Sequence, residues 1–157
     1  MQRITPCLWF DTQAEEAATF YVSLFEDAEV TDVRHLDDTP SGDNVALVFF
    51  TLAGQGFMAI NGGPQFPFSE AVSFNVSCKD QDEVDRLWAA LTADGGEESQ
   101  CGWLKDRFGL SWQIIPERMG ELLSDPDPER RQRAMQAMLQ MQKIDIKVLE
   151  DAANASA

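Results

Sequence analysis

The sequence of 157 residues has few basic side chains, with 12 lysines and arginines against 27 aspartates and glutamates. The formal net charge of −15 disfavours nucleic acids, anionic membrane surfaces and polyanionic substrates as partners. A neutral or cationic partner fits this charge better.

Histidine and cysteine are also scarce. His35 is the only histidine, and we interpret it as a surface or packing residue because no ligand or catalytic motif surrounds it. The three cysteines, Cys7, Cys78 and Cys101, form no C-x-x-C pair, which argues against a disulfide framework and a thiolate zinc site. We interpret all three as reduced, structural thiols.

Long hydrophobic runs are absent, since the longest unbroken one covers only residues 45–50. The amino terminus shows no apolar leader segment. We therefore expect a soluble, cytoplasmic protein with no membrane partner.

What is present is enough apolar material for a core, with 44% hydrophobic and 10% aromatic residues. In the first half, periodicity predicts a strand at 4–10, a helix at 14–25 and strands at 29–36, 44–53 and 57–61. Thr12 and Glu15 have the spacing of a capping box for the helix. We interpret Gly54-Gln55-Gly56 as a hairpin turn.

The second half repeats this order. It predicts a strand at 71–78, a helix that begins with the capping box Asp80–Glu83 and ends at Gly95-Gly96, and strands at 97–100, 102–105 and 110–116. An offset of 68 residues superposes the halves, which indicates a duplicated module. Helices are predicted at 117–123, from Asp127-Pro128 to Met141, and at 145–153, the second with Met135, Met138, Leu139 and Met141 on its apolar side.

These patterns predict an α+β fold of two βαβββ modules with a C-terminal helical extension. The paired modules cover residues 1–116, approximately 1–64 and 70–116, and the extension covers 117–157.

Strand alternation selects candidate ligand-binding residues. Ile4, Leu8, Phe10, Val72, Phe74 and Val76 form the apolar face of the first strand of each module. The alternating positions, together with one on the last strand, form a mixed polar set suited to a small organic ligand: Thr5, Cys7, Trp9, Ser73, Asn75 and Gln113. Packing against the other module or a second subunit explains these residues equally well. The segment Phe66-Pro67-Phe68 fits either a lid over the ligand or a loop docked on a partner subunit.

Several segments resemble one known family, the PhnB-like group of the vicinal oxygen chelate superfamily, which includes glyoxalase, bleomycin-resistance and extradiol dioxygenase proteins. The resemblance rests on residues 5–11, 57–64, 101–106 and 108–114 and on the tail from Asp125-Pro126-Asp127-Pro128 to Asp145-Ile146. It implies curved mixed sheets around a cleft, usually in a homodimer, and a metal held by first and last strands. The corresponding positions fall near Thr5 or Pro6, near Ala59, among residues 71–73 and on Gln113, and none offers a histidine or carboxylate.

The resemblance leaves two functions open. One is a metal-free, cofactor-free homodimer that binds or sequesters a small molecule. The other is an enzyme, either a metal-dependent isomerase, lyase or dioxygenase, or the 3-demethylubiquinone 3-methyltransferase after which the group is often called. The letters Gly54-Gln55-Gly56-Phe57-Met58-Ala59 match a cofactor-binding pattern, but the following Gly62-Gly63-Pro64 cannot continue the helix that the pattern needs.

Overall fold

A computed structural model describes residues 2–37, 39 and 45–155. These residues form two four-stranded mixed sheets and five α-helices, an α+β fold. They divide into two compact units, Met1–Phe68 and Ser69–Ala157. In the part of the chain described, no helix is long and apolar enough to cross a bilayer.

The first unit has the predicted βαβββ order. Its elements are β1 (Cys7–Phe10), α1 (Ala14–Val22), β2 (Glu29–Leu36), β3 (Val45–Leu52) and β4 (Gln55–Asn61). The strand order in the sheet is β1-β4-β3-β2, with β1 parallel to β4 and the other pairs antiparallel. Residues 40–44, which include the start of the predicted strand 44–53, lie outside the described residues.

Helix α1 packs on β3 and β4 through a stripe of small residues. Ala14, Ala17 and Ala18 are fully buried, and their size lets the helix backbone approach the sheet closely. The predicted capping box of this helix is wrong, because Gln13 is the N-cap residue and its side chain makes no capping bond. Instead the Ala14 N–H donates to Oδ1 of Asn61 at 2.7 Å, so the last residue of β4 caps the helix.

Two turns differ from the predicted bounds. Helix α1 ends at Val22, three residues early, because the Ser23 N–H turns back to the Phe20 carbonyl in a tight final turn. The hairpin between β3 and β4 is formed by Ala53 and Gly54, both with positive φ (49° and 79°), as a two-residue hairpin turn requires. The hairpin interpretation is confirmed, one residue earlier than expected.

The second unit repeats the topology of the first. Its strands are β5 (Ser73–Cys78), β6 (Glu97–Glu98), β7 (Trp103–Lys105) and β8 (Ser111–Pro116), and α2 (Gln81–Thr92) and a 3₁₀ turn (Ala93–Gly95) follow β5. The strand order β5-β8-β7-β6 matches that of the first sheet, with β5 parallel to β8. The predicted repeat is confirmed.

Helix α2 begins and packs as the sequence predicts. Oδ1 of Asp80 accepts a hydrogen bond from the Glu83 N–H at 2.9 Å. The residues buried against the sheet are the predicted ones, Val84, Leu87, Trp88 and Leu91.

The predicted strands 97–100 and 102–105 are too long at their facing ends, since β6 ends at Glu98 and β7 begins at Trp103. Cys101 and Gly102 have positive φ (57° and 87°), and their N–H groups donate to the carbonyls of Met141 and Gln142 at 2.8 Å each. Because these donors bond to the carbonyls of residues 141 and 142, they cannot continue a strand ladder.

Three helices follow β8, namely α3 (Glu117–Leu123), α4 (Pro128–Met138) and α5 (Ile146–Asn154). They share a core with Ala134, Ile144 and Leu149, all fully buried. The predicted apolar side of α4 is partly wrong, since Met135 and Leu139 are 42% and 48% exposed. Ala134 faces the core instead, and the helix ends at Met138 before the buried Met141.

The connection from β7 to β8 is organised by Asp106, a buried carboxylate that is 2% exposed. Its Oδ1 accepts from the N–H groups of Phe108 at 2.9 Å and Leu110 at 3.1 Å. Its Oδ2 accepts from Nε1 of Trp112 at 2.9 Å. These bonds fix the loop to the start of β8 and so position the side chains of that strand.

Candidate functional site

The sheet of the second unit has one face against α2 and one face that carries polar side chains. Trp112 and Ile114 on β8 are buried at 1% and 0% exposure, whereas Gln113 between them is half-buried on the other side. The register places Ser73 beside Ser111 and Asn75 beside Gln113. We call this polar side the open face of the second sheet.

Three predicted ligand-binding residues meet on the open face. Nε2 of Gln113 donates to Oγ of Ser73 at 2.9 Å, and Nδ2 of Asn75 donates to Oε1 of Gln113 at 3.3 Å. These bonds orient the Gln113 amide between two polar neighbours, while Asn75 is exposed. The three form a short row of hydrogen-bonding groups that a ligand can contact from the exposed side.

The other three predicted residues lie in the first unit. Cys7 and Trp9 project from the same side of β1, opposite the buried Leu8 and Phe10. Thr5 precedes the strand and is exposed. The structure thus places Cys7 and Trp9 on one face, whereas Thr5 lies outside the strand.

Within the strands, the residues predicted to be apolar-facing lie on the predicted face. For the residues that precede the strands, the prediction is wrong. Ile4 is 86% exposed and Val72 is 65% exposed, because β1 begins only at Cys7 and β5 only at Ser73. Residues before a strand are not constrained by its alternation, so the pattern does not extend to these two.

Trp9 holds the segment that follows β4. Its Nε1 donates to the Gly63 carbonyl at 2.9 Å, and the ring of Phe66 meets its ring edge-on at a centroid distance of 4.9 Å. A Cβ on Gly62 would lie 2.2 Å from the Trp9 ring, so the approach requires glycine there. Phe66 is 64% exposed while it contacts Trp9.

A pocket of about 280 Å³ opens within the second unit, and none of the six predicted ligand-binding residues lines it. Its lining consists of Glu70, Glu97, Glu98, Ser99, Trp103, Leu104, Lys105 and Ser111. Ser111 and Lys105 are register partners, so both side chains project on the open face. Alternation along β8 could have identified Ser111, because it lies two residues before Gln113 and therefore on the same face of the strand.

Charged side chains in this pocket interact directly with one another. The Lys105 ammonium forms an ion pair with the Glu70 carboxylate. The pair raises the pKa of Lys105 and lowers the pKa of Glu70, chiefly through the hydrogen bond between them. Glu97 lies opposite Lys105 in the β6–β7 ladder and adds a second carboxylate beside the ammonium.

All three cysteines are free, as predicted, but they differ in environment. Cys7 is exposed, Cys101 is half-buried and Cys78 is buried. Burial raises the pKa of Cys78 to about 12, so this thiol is unreactive at neutral pH. His35 is exposed on β2, as its interpretation as a surface residue predicts.

Comparisons with known proteins identify the family. The family model described as 3-demethylubiquinone-9 3-methyltransferase matches residues 2–115. The chain belongs to this PhnB-like family. A PhnB protein from Bacillus cereus that carries the same methyltransferase name is similar to it, with 33% identity and a TM-score of 0.67 over 73% of this chain and 99% of that one.

Two solved structures of lower identity share the fold of this PhnB-like chain. Protein PA1353 from Pseudomonas aeruginosa is 23% identical, with a TM-score of 0.57 over 74% of this chain and 98% of that one. The fosfomycin resistance protein FosX from Listeria monocytogenes is 18% identical, with a TM-score of 0.52 over 76% and 94%. At these identities the likenesses show a shared fold. A search of curated proteins found no match.

The resemblance to the vicinal oxygen chelate superfamily implies a metal site, and the residues present show whether they fit one. The equivalent positions hold Thr5 or Pro6, Ala59, residues 71–73 and Gln113, which offer hydroxyl and amide oxygens. Among the residues placed by the structure, no three histidine, cysteine, aspartate or glutamate side chains are grouped to hold a metal ion. This donor set does not fit a divalent transition metal.

The cofactor-binding pattern at Gly54 can be tested in the same way. Residues 55–61 form strand β4 after a hairpin turn, rather than the helix that presents backbone N–H groups to a dinucleotide. The interpretation as a hairpin is therefore confirmed.

Proposed function

We propose that the protein is a small-molecule-binding or sequestering module that works without a bound metal or cofactor. The observation that carries this proposal is the row of Ser73, Gln113 and Asn75 on the open face of the second sheet. Amide and hydroxyl groups bind neutral or charged organic ligands through hydrogen bonds and bind transition metals poorly.

Thr5, Cys7 and Trp9 are proposed as ligand-binding residues within the first unit. Thr5 and Cys7 are exposed, and half-buried Trp9 offers an aromatic surface beside them. We propose further that the protein is a homodimer in the cytoplasm. Three free cysteines fit a reducing compartment.

The proposal is tested with protein purified without a histidine tag. Elemental analysis measures bound metal and light scattering measures the mass. We expect substoichiometric metal and the mass of a dimer. Near-stoichiometric metal that a chelator removes would contradict the metal-free function and favour an enzyme.

Ligand binding is tested by a thermal-shift screen of neutral and cationic small organic molecules, followed by calorimetry on the compounds that raise Tm. Gln113→Leu removes the central amide, and Gln132→Leu makes the same change on the exposed surface of α4. We expect Gln113→Leu to weaken the compounds about tenfold or more, because partner groups lose their hydrogen bonds, and Gln132→Leu to leave them unchanged. Binding that is equal in both variants would refute the site.

The methyltransferase named by the family description is tested in the same calorimeter with S-adenosylmethionine. We expect no heat of binding, since the glycine pattern at residues 54–59 lies in a hairpin. Saturable binding of this cofactor would overturn the cofactor-free proposal.

A further inference from the structure

The open face carries a buried hydroxyl that the protein itself does not use. Ser111 is 1% exposed, and within the described ranges its Oγ is the one buried side-chain oxygen or nitrogen without a hydrogen-bond partner. A buried hydroxyl in this state is unfavourable, because it has lost water and gained no partner. Pairing with β5 on one side and β7 on the other fixes the backbone of Ser111, so the hydroxyl cannot reach a partner by a shift of the strand.

Ser111 lines the pocket of about 280 Å³ described above, and its register with Lys105 places its side chain on the same face of the sheet as that residue. At roughly 30 Å³ for a water-sized group, this volume takes a ligand of about nine non-hydrogen atoms. Trp103, half-buried on the same face, supplies an aromatic wall.

The charges around the pocket favour a cation. Lys105 is paired with Glu70, and Glu97 stands opposite Lys105 in the ladder, so two carboxylates face one ammonium group. The whole chain carries −15, which raises the local concentration of cations. An anionic ligand would be repelled by the excess carboxylate.

We propose that this pocket binds a small primary amine in its ammonium form. Oγ of Ser111 accepts a hydrogen bond from the ammonium, Glu97 supplies the opposite charge, and the apolar part lies against Trp103. This inference rests on the proposed binding function and names the class of ligand that the open face would bind.

The test is calorimetry of the full chain with 2-phenylethylammonium, which has nine non-hydrogen atoms, at neutral pH and low ionic strength. The uncharged 2-phenylethanol and the anionic 3-phenylpropanoate have similar size. We expect the amine to bind at least about tenfold more tightly than the alcohol, and the carboxylate to give no measurable heat.

Two variants test which side chains contact the amine. Ser111→Ala should weaken the amine about tenfold while Tm stays equal or rises, because the variant removes an unpaired buried hydroxyl. Ser124→Ala, at the exposed end of α3, is the matched control and should leave affinity unchanged. Glu97→Gln should weaken the amine and reduce its preference over the alcohol, an effect that loss of structure alone would not produce.

Equal binding of amine and alcohol, or full affinity in Ser111→Ala, overturns the inference. If the amine fails while other screened compounds bind in a Gln113-dependent way, the ligand class is wrong and the binding function stands. If no compound depends on Gln113, the proposed function itself fails.

Discussion

Asp106 is expected to be the most sensitive polar residue of the second unit. Its carboxylate is 2% exposed and accepts three hydrogen bonds. Truncation by Asp106→Ala removes the carboxylate acceptor from two buried donors, the Leu110 N–H and Trp112 Nε1, whereas the Phe108 N–H is only partly buried and can reach water. At about 1–3 kcal/mol for each buried donor, the loss of stability is about 4 kcal/mol.

Asp106→Asn should lower the free energy of unfolding less than Asp106→Ala does. The amide oxygen can still accept from both backbone donors, but its NH₂ group then faces Nε1 of Trp112, donor against donor. One lost bond predicts a cost of about 2 kcal/mol. In a Trp112→Phe background, Asp106→Asn should cost much less, because the conflicting donor is gone.

The assay is urea unfolding followed by far-ultraviolet circular dichroism, with m-values checked for constancy. The reasoning is refuted if Asp106→Ala costs less than about 1 kcal/mol, or if Asp106→Asn costs the same in both backgrounds.

Three further predictions concern single positions. Asn61→Ala should lower the free energy of unfolding by about 1 kcal/mol in urea titrations, because it removes the cap on Ala14, and Asn61→Asp, which keeps an acceptor, should not. Ellman's reagent at neutral pH should modify the exposed Cys7 in the folded protein and Cys78 only after unfolding, since the pKa of Cys78 is raised to about 12; equal rates would contradict its burial. Gly120→Ala should stabilise the protein by about 0.5–1 kcal/mol, because nothing lies within 4 Å of a Cβ there, and a lower urea midpoint would show an unforeseen clash.

Much of the fold follows from local sequence pattern. The spacing of Val84, Leu87, Trp88 and Leu91 specifies which side of α2 is buried, and the same order of elements in both halves predicts two equivalent sheets. Such signals are strong because burial acts on every turn of a helix and every second residue of a strand.

The predictions fail where a backbone N–H group bonds to a residue far away in the sequence instead of to a near neighbour. Thr12 has the spacing of a helix cap, but Asn61 supplies the acceptor from 47 positions away. Gly102 lies in the predicted strand 102–105, but its N–H donates to the Gln142 carbonyl. Short sequence windows hold no information about these partners.

The candidate site also has one part that the sequence predicts and one part that it does not. Alternation along the strands predicts that Ser73, Asn75 and Gln113 share one face, and hydrogen bonds join these three side chains in the folded chain. The unpaired state of Ser111 and the ion pair of Glu70 emerge only from three-dimensional register, because Glu70 precedes β5 in a segment without periodicity.

Among the strands that the structure describes, β2, the eight-residue outer strand of the first sheet, has a neighbour on one side only, β3. A long edge of this kind can recruit a strand from another molecule and start aggregation. Here the edge carries the charged residues Glu29, Asp32 and Arg34, and the pairing with β3 shifts register between Val30 and Asp32. Charge and an irregular ladder both discourage a foreign strand from adding to the sheet, so β2 protects the folded protein against aggregation through this edge.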